Sequence, residues 1–230
     1  MGLRVEEYSP EAIPRLPKGA VIIHTIPPLP GEERENVRAF ICKMEPRRVL
    51  YISSTSVYGD QTTVTAETGV CPSEPKGQSR VDEENWLKSQ PWTTLIVRPA
   101  AIYGPGRGVH LRILEGKGQR STASVVSRIH ADDLAAILEA GVDSKLEGAF
   151  PCADEHPCSS DEIVQWCSRL LKITALPAKA GVPVAGRSVD GRKIRELLGI
   201  RLLYPDYMSG VLASVPGETV IFSELLTLRG

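Results

Sequence analysis

Short apolar runs rich in β-branched residues alternate with amphipathic stretches through the first two thirds of the chain, and that alternation points to an α/β architecture. Residues 20–26 (AVIIHTI) read as a buried strand stopped by Pro27 and Pro28. Residues 32–44 place Val37, Phe40, Ile41 and Met44 on one helical face among charges, before 48–54 (RVLYISS) forms a second apolar strand. This is a β-α-β unit, and the pattern recurs. A loop rich in Gly and Thr from 59 to 75 leads to a helix over about 77–89 and a third strand over 93–98 (TTLIVR). Such strands pair in parallel through right-handed crossovers. A long loop, 99–110, precedes a short helix, a strand near 125–129 and the helix 132–140 (DDLAAILEA). The expected core is a four-strand parallel layer of these runs, with Ser54, Pro99 and His130 at the same end.

The texture changes after about residue 150. Ser159-Ser160-Asp161-Glu162 offers an N-cap with Glu162 three residues after Ser159, opening an amphipathic helix to Leu171. A Pro/Gly/Ala linker, 177–186, follows. Residues 189–198 (VDGRKIRELL) set Ile194, Leu197 and Leu198 on one face and stop at Gly199. Two parts are therefore expected, a sheet domain over 1–150 and a small, mostly helical lobe over 151–230.

With 27 Lys plus Arg against 28 Asp plus Glu the net charge is −1, so no bulk field draws nucleic acid or an anionic membrane. No apolar run approaches the ~18 residues needed to cross a bilayer. The first residues, MGLRVEEYSPEA, lack the basic start and apolar stretch of a secretory signal, and the cytoplasm is the expected compartment. The five cysteines then read as reduced thiols. Cys152, His156, Cys158 and Cys167 are zinc-ligand residue types without the short paired spacing of ribbons and fingers. The plainer expectation is a strand end, a loop and a capped helix whose Cys167 faces the core.

Three stretches carry the chemistry, each after a strand. Ser53-Ser54-Thr55-Ser56-Val57-Tyr58-Gly59-Asp60 follows the second, Arg98-Pro99-Ala100-Ala101-Ile102-Tyr103-Gly104-Pro105-Gly106 the third, and Arg128-Ile129-His130-Ala131-Asp132-Asp133-Leu134-Ala135 opens a helix. In that order and spacing they closely resemble the extended short-chain dehydrogenase/reductase family, the NAD-dependent epimerase/dehydratases, over about residues 20–215. Tyr204-Pro205-x-Tyr207-x-x-Gly210 and the turn His24-Thr25-Ile26-Pro27-Pro28 are more similar to the atypical branch of that family. The resemblance implies a Rossmann-like sheet that binds NAD or NADP. It makes Ser54 the residue that hydrogen-bonds the substrate oxygen being oxidised or reduced. It puts Pro99 and Ile102 in the loop against the nicotinamide ring, and Thr25 and Pro27 in the turn passing the diphosphate-ribose. Arg107, after the Gly-Pro-Gly turn, is a candidate clamp for an anionic substrate group, with Tyr103 beside it on the substrate side.

Two departures qualify the resemblance. Residues 76–84 (KGQSRVDEE) are similar to the family's Tyr-Gly-x-Ser-Lys-x-x-x-Glu, with Gly77, Ser79 and Glu84 in place. Lys76 stands where the acid/base tyrosine is expected, and Arg80 where its lysine is. The two share a helical face at i,i+4, and a neighbouring cation lowers a lysine's pKa. Reaching neutrality from ~10.4 nevertheless takes about 3 units, or about 4–5 kcal/mol. Lys76 and Arg80 are thus the candidates at the catalytic positions, with solvated helix charge as the alternative and Tyr58 and Tyr103 as substitute phenols on sheet-top loops. In addition, no G-x-G-x-x-G follows a strand near the N-terminus, and 104–108 (GPGRG) sits after a late strand with a proline inside it. Aligned on the family, the chain opens just before the fourth strand, about sixty residues short at ordinary element lengths. The expected fold is α/β, an N-terminally truncated Rossmann-like parallel sheet with a small, mostly helical C-terminal lobe. Its parts are a partial NAD(P)-binding domain, 1–150, and a substrate-side lobe, 151–230, with apolar residues 21–26 on an open edge.

Two functions follow. The first is NAD(P)-dependent chemistry on a nucleotide sugar or another carbonyl or hydroxyl compound, with Ser54 orienting it. The alternative is a nucleotide-binding or sensing protein of the same fold without turnover. A hydrolase built on Ser54, His130 and Asp132 would lack the G-x-S-x-G elbow. The expected partners are a small-molecule substrate and a second copy in a homodimer, with neither nucleic acid nor membrane.

Overall fold

The structure, a computed structural model, describes residues 18–115, 124–171 and 186–214. The first residues and most of the expected 177–186 linker lie outside them. The chain opens β1 (Val21–His24), α1 (Gly31–Lys43), β2 (Arg48–Ile52), a 3-10 turn (Thr55–Tyr58), β3 (Thr63–Val64), α2 (Pro75–Lys88) and β4 (Thr93–Pro99). It continues with β5 (Ala101–Tyr103), α3 (Val109–Leu114), β6 (Val125–Val126), β7 (Arg128–His130), α4 (Ala131–Asp143) and β8 (Gly148–Cys152). The last elements are β9 (Cys158–Ser159), α5 (Ser160–Leu171), β10 (Ser188–Val189), α6 (Arg192–Leu198) and α7 (Tyr207–Ser214).

Strands β1, β2, β4 and β8 form one sheet in that spatial order, parallel throughout. Successive side chains of a strand face opposite ways, so the continuous apolar runs of β2 and β4 demand cover on both faces. Val49, Tyr51 and Ile96 meet Ile41 of α1 and Leu87 of α2 on one side. Leu50, Leu95 and Val97 meet Leu134, Ile137 and Leu138 of α4 and Ile194 of α6 on the other. Each such side chain, fully buried, contributes about 1.5–3 kcal/mol. Strand β1 closes one side of the sheet. Its other edge is unpaired among the described residues, and Ile23 on it is 43% exposed.

The fourth strand corrects the sequence reading. It is Gly148–Cys152, paired with β4 over five residues, and not the run near 125–129. That run is divided: Val125–Val126 pairs antiparallel with β9, and Arg128–His130 pairs parallel with β5 beyond the end of β4. Pro151 is tolerated in β8 because this strand is an edge of the sheet, where a missing N–H leaves no ladder partner unmet.

The helix signals hold. His130 Nδ1 accepts from Asp132 N at 3.2 Å to open α4, Ser159 Oγ accepts from Glu162 N at 3.1 Å to open α5, and α6 stops at Gly199 with φ +68°. Helices α3, α5 and α7 enclose a second core around Tyr103, Ile113, Trp166, Cys167, Tyr207 and Val211. The Tyr-Pro-x-Tyr-x-x-Gly stretch is read directly in this packing, because a Cβ on Gly210 would overlap the Tyr103 hydroxyl. Residue 150 lies within β8, and Ile113 of α3 belongs to this second core. Among the described residues no helix is long and apolar enough to cross a membrane.

Candidate functional site

At the carboxyl ends of β1, β2 and β4 the backbone turns away from the sheet and leaves a cleft of about 990 Å³. In an open parallel sheet this is where ligands bind. The cleft is lined by Thr25 and Pro27 after β1, by Ile52 to Ser56 after β2, and by Pro99 to Ile102 after β4. Arg80, Arg107 and Arg187 are its cationic lining, and Asp60 and Glu74 its anionic lining. Of the residues expected at the site, Thr25, Pro27, Ser54, Arg80, Pro99, Ile102 and Arg107 are brought together here.

Ser54 is extended (φ −161°, ψ 156°), and its Oγ accepts from Ser56 N at 3.1 Å, capping the 3-10 turn. The hydroxyl therefore keeps its own proton for another acceptor. Behind it stands a buried polar network. Ser53 Oγ donates to Glu84 Oε1 (2.6 Å), Arg98 holds both carboxylate oxygens through Nε (3.0 Å) and Nη2 (2.6 Å), and Arg98 Nη1 donates to the Tyr58 hydroxyl (3.1 Å). Glu84 thus fastens α2 to the ends of β2 and β4, which fixes the backbone that carries Ser54.

The two substituted positions separate. Lys76 is exposed near the start of α2 and does not line the cleft, whereas Arg80, one turn on, lines it and donates to Ile52 O at 3.0 Å. The substitute phenols are unsuited to proton transfer. Burial pushes the Tyr58 hydroxyl above its ordinary range, and it already accepts from Arg98. Tyr103 is raised by burial and by Asp154 and Asp206, and it donates to Asp206 O at 3.1 Å. Tyr103 lies in the lobe's core and outside the cleft lining.

Ser54 and His130 are not assembled as a hydrolase would need. His130 is buried against the rings of Tyr103 and Tyr204, and its nitrogens meet Asp132 N and Ser214 Oγ. Its role is to brace the turn from β7 into α4. The zinc residue types are likewise dispersed. Cys152, Cys158 and Cys167 are buried, with Cys167 in the lobe's core and pushed up to about 12 by burial, while His156 faces Glu162. Among the described residues no cluster could hold a metal ion.

Arg187 went unnoticed in the sequence. Its guanidinium donates to Gln61 O (3.0 Å) and to the carbonyls of Thr55 and Gly59, so one side chain gathers the loop that follows Ser54. No motif surrounds it. Only its position beside β10, which pairs with β3, brings it there.

No protein-family model matches the chain. It is 31% identical over 164 residues to protein YeeZ of Escherichia coli K12, covering 69% of this chain and 59% of that protein. The chain thus spans under two thirds of the curated relatives it matches. A solved structure of a functionally unknown conserved protein from Silicibacter pomeroyi superposes with a TM-score of 0.73 at 27% identity, over 84% of this chain and 76% of the other. UDP-glucuronic acid 4-epimerase from Bacillus cereus, solved with UDP-glucuronic acid and NAD, superposes with a TM-score of 0.67 at 18% identity, over 78% and 64%. The sheet order, the loops at its carboxyl end and these superpositions agree: the chain has the fold of the extended short-chain dehydrogenase/reductases, the NAD-dependent epimerase/dehydratases.

Proposed function

We propose that the chain acts as an NAD(P)-linked protein of the epimerase/dehydratase type on a nucleotide sugar or another small carbonyl or hydroxyl compound. The observation that carries this is one cleft of about 990 Å³ lined by Thr25, Pro27, Ser54, Pro99, Ile102 and Arg107, residues from loops far apart in sequence. A volume of this order suits a nucleotide ligand. Thr25, Pro27, Pro99 and Ile102 are the residues that would hold the nicotinamide and its ribose, and the bound dinucleotide would supply hydride transfer. Ser54 would orient the substrate oxygen, and Arg107 would meet an anionic group. The chain's sequence supplies no glycine-rich turn for the pyrophosphate, so the fit is to the nicotinamide half.

A second reading, nucleotide binding without turnover, is favoured by a specific observation. No tyrosine, lysine, histidine or cysteine is among the described residues lining the cleft, which leaves Asp60 and Glu74 as its acid/base groups beside the arginines.

Saturation-transfer NMR with NAD+ and with UDP-glucose tests the site. Signal transfer to the nicotinamide protons is expected with the chain as it stands and is expected to vanish in Ile102→Trp, which fills that wall. No transfer from the unaltered chain to either ligand would overturn the proposal. Conversion of UDP-glucose in the presence of NAD+ to an epimerised or dehydrated UDP-sugar, followed by proton NMR, would separate turnover from binding alone, since the hydride returns to the sugar and no NADH accumulates.

A further inference from the structure

A second, smaller cavity of about 90 Å³ adjoins the cleft at the strand Ala101–Ile102, which lines both. It lies between the sheet's upper end and the lobe, and His110, Tyr103, Arg128, Ile163, Tyr207 and Val211 wall it. Its volume is that of about three liquid waters, or of a compact group of a few heavy atoms. His110 is 1% exposed, and neither of its ring nitrogens has a hydrogen-bond partner among the described residues. A buried polar group without a partner is destabilising, so such a ring needs an explanation.

The other polar groups on the wall are already engaged. The Tyr103 hydroxyl donates to Asp206 O, and that of Tyr207 donates to Glu162 Oε1 at 3.4 Å. Arg128 Nη1 donates to Val126 O (2.8 Å) and Cys158 O (3.1 Å). The surroundings also select against charge. Arg128 on the wall opposes a cation, while Glu162, whose carboxylate accepts from the Tyr207 hydroxyl on the wall, opposes an anion. Burial, with His130 nearby, keeps the His110 ring neutral, so it presents one N–H donor and one bare nitrogen acceptor. A hydroxyl, donor and acceptor in one, pairs with either kind of nitrogen, and a single hydroxyl takes one of the two. The apolar walls of Val109, Ile163 and Val211 match the carbon that bears it.

We propose that this cavity is a selectivity pocket in which His110 receives a neutral, hydroxyl-bearing side group, of hydroxymethyl size, from the ligand held in the adjoining cleft. The inference rests on the reading of that cleft as a nucleotide-sugar site. It goes further in naming the part of the ligand that is discriminated and the residue that discriminates.

Calorimetric titration with UDP, UDP-glucose and UDP-xylose, which lacks the hydroxymethyl group, tests it. UDP-glucose is expected to bind about tenfold more tightly than UDP-xylose, the factor for one buried hydrogen bond of ordinary strength. His110→Phe is expected to bring that ratio to about one. Val211→Phe, which fills the cavity from the opposite wall, is expected to do the same if His110→Phe fails to fold. UDP binding with equal affinity for the two sugars, or a ratio that survives both substitutions, would overturn the pocket and leave the cleft's reading standing. Absence of any UDP binding would instead remove the cleft's reading. Glycerol titrated against the His110 ring proton in NMR then decides the pocket, a saturable shift supporting it and an unmoved resonance overturning it.

Discussion

Glu84 and Arg98 meet in a two-pronged ion pair, Oε1 to Nε at 3.0 Å and Oε2 to Nη2 at 2.6 Å, with Glu84 1% and Arg98 6% exposed. Removing one partner leaves the other charge buried without its main counterion, since Lys88 Nζ stands only at 3.8 Å from Glu84 Oε2, and costs about 3–5 kcal/mol. Arg98→Met is expected to lower stability by that amount in urea unfolding. The double variant with Glu84→Gln is expected to lose distinctly less than the sum of the two single losses, because the pair acts as a unit. Additive losses would show that the two residues do not couple.

Two buried groups are expected to pull stability in opposite directions with pH. Burial, with Arg80 nearby, lowers His24 to about 4. The unfolded chain therefore protonates first, and the contribution of His24 is full above pH 6.5 and lost as pH falls toward 4, by about 3 kcal/mol. Burial raises Asp154 to about 7. The folded chain then holds the proton longer, and that contribution is lost as pH rises from about 4 through 7, by up to about 4 kcal/mol. The two offset each other between pH 4 and 6.5. Asp154→Asn should leave a profile that rises with pH in this window, and His24→Gln one that falls. Urea midpoints measured from pH 5 to 8 check both signs.

Arg187 holds the Thr55, Gly59 and Gln61 carbonyls together. A hydrogen bond from a charged donor contributes about 1.5–3 kcal/mol net, and Arg187 is only part-buried, so a loss of about 2 kcal/mol is expected for Arg187→Ala. Hydrogen exchange should quicken first at the amides of 55–61. Uniform quickening across β2 and β4 would contradict a local clamp.

The cleft is expected to bind NAD or NADP weakly, with a dissociation constant near millimolar, about −4 kcal/mol, since no helix N-terminus with glycine amides in this sequence meets the pyrophosphate. A micromolar constant from calorimetry would refute this. Lys76→Ala should leave that weak binding unchanged, whereas Arg80→Ala should weaken it, because Arg80 alone of the two lines the cleft.

What the sequence determined by itself was whatever local chemistry controls. The apolar runs of β2 and β4, the capping Ser159 and the stop at Gly199 are each legible from neighbours in the chain, since burial on two faces and helix-end hydrogen bonds involve residues a few positions apart. The motifs around Ser54 and Pro99 were legible for the same reason, each following its strand directly. Tertiary structure alone decided that Gly148–Cys152, and not the more β-like run before it, completes the sheet, because an edge strand is chosen by its partner. It also decided that Lys76 faces solvent while Arg80 faces the cleft, and that Arg187 reaches back across 132 residues to Thr55. His110 is the sharpest case. Nothing near it in the sequence marks it, and only the four elements β5, β7, α5 and α7 bring its ring to the wall of a cavity, with neither nitrogen partnered among the described residues.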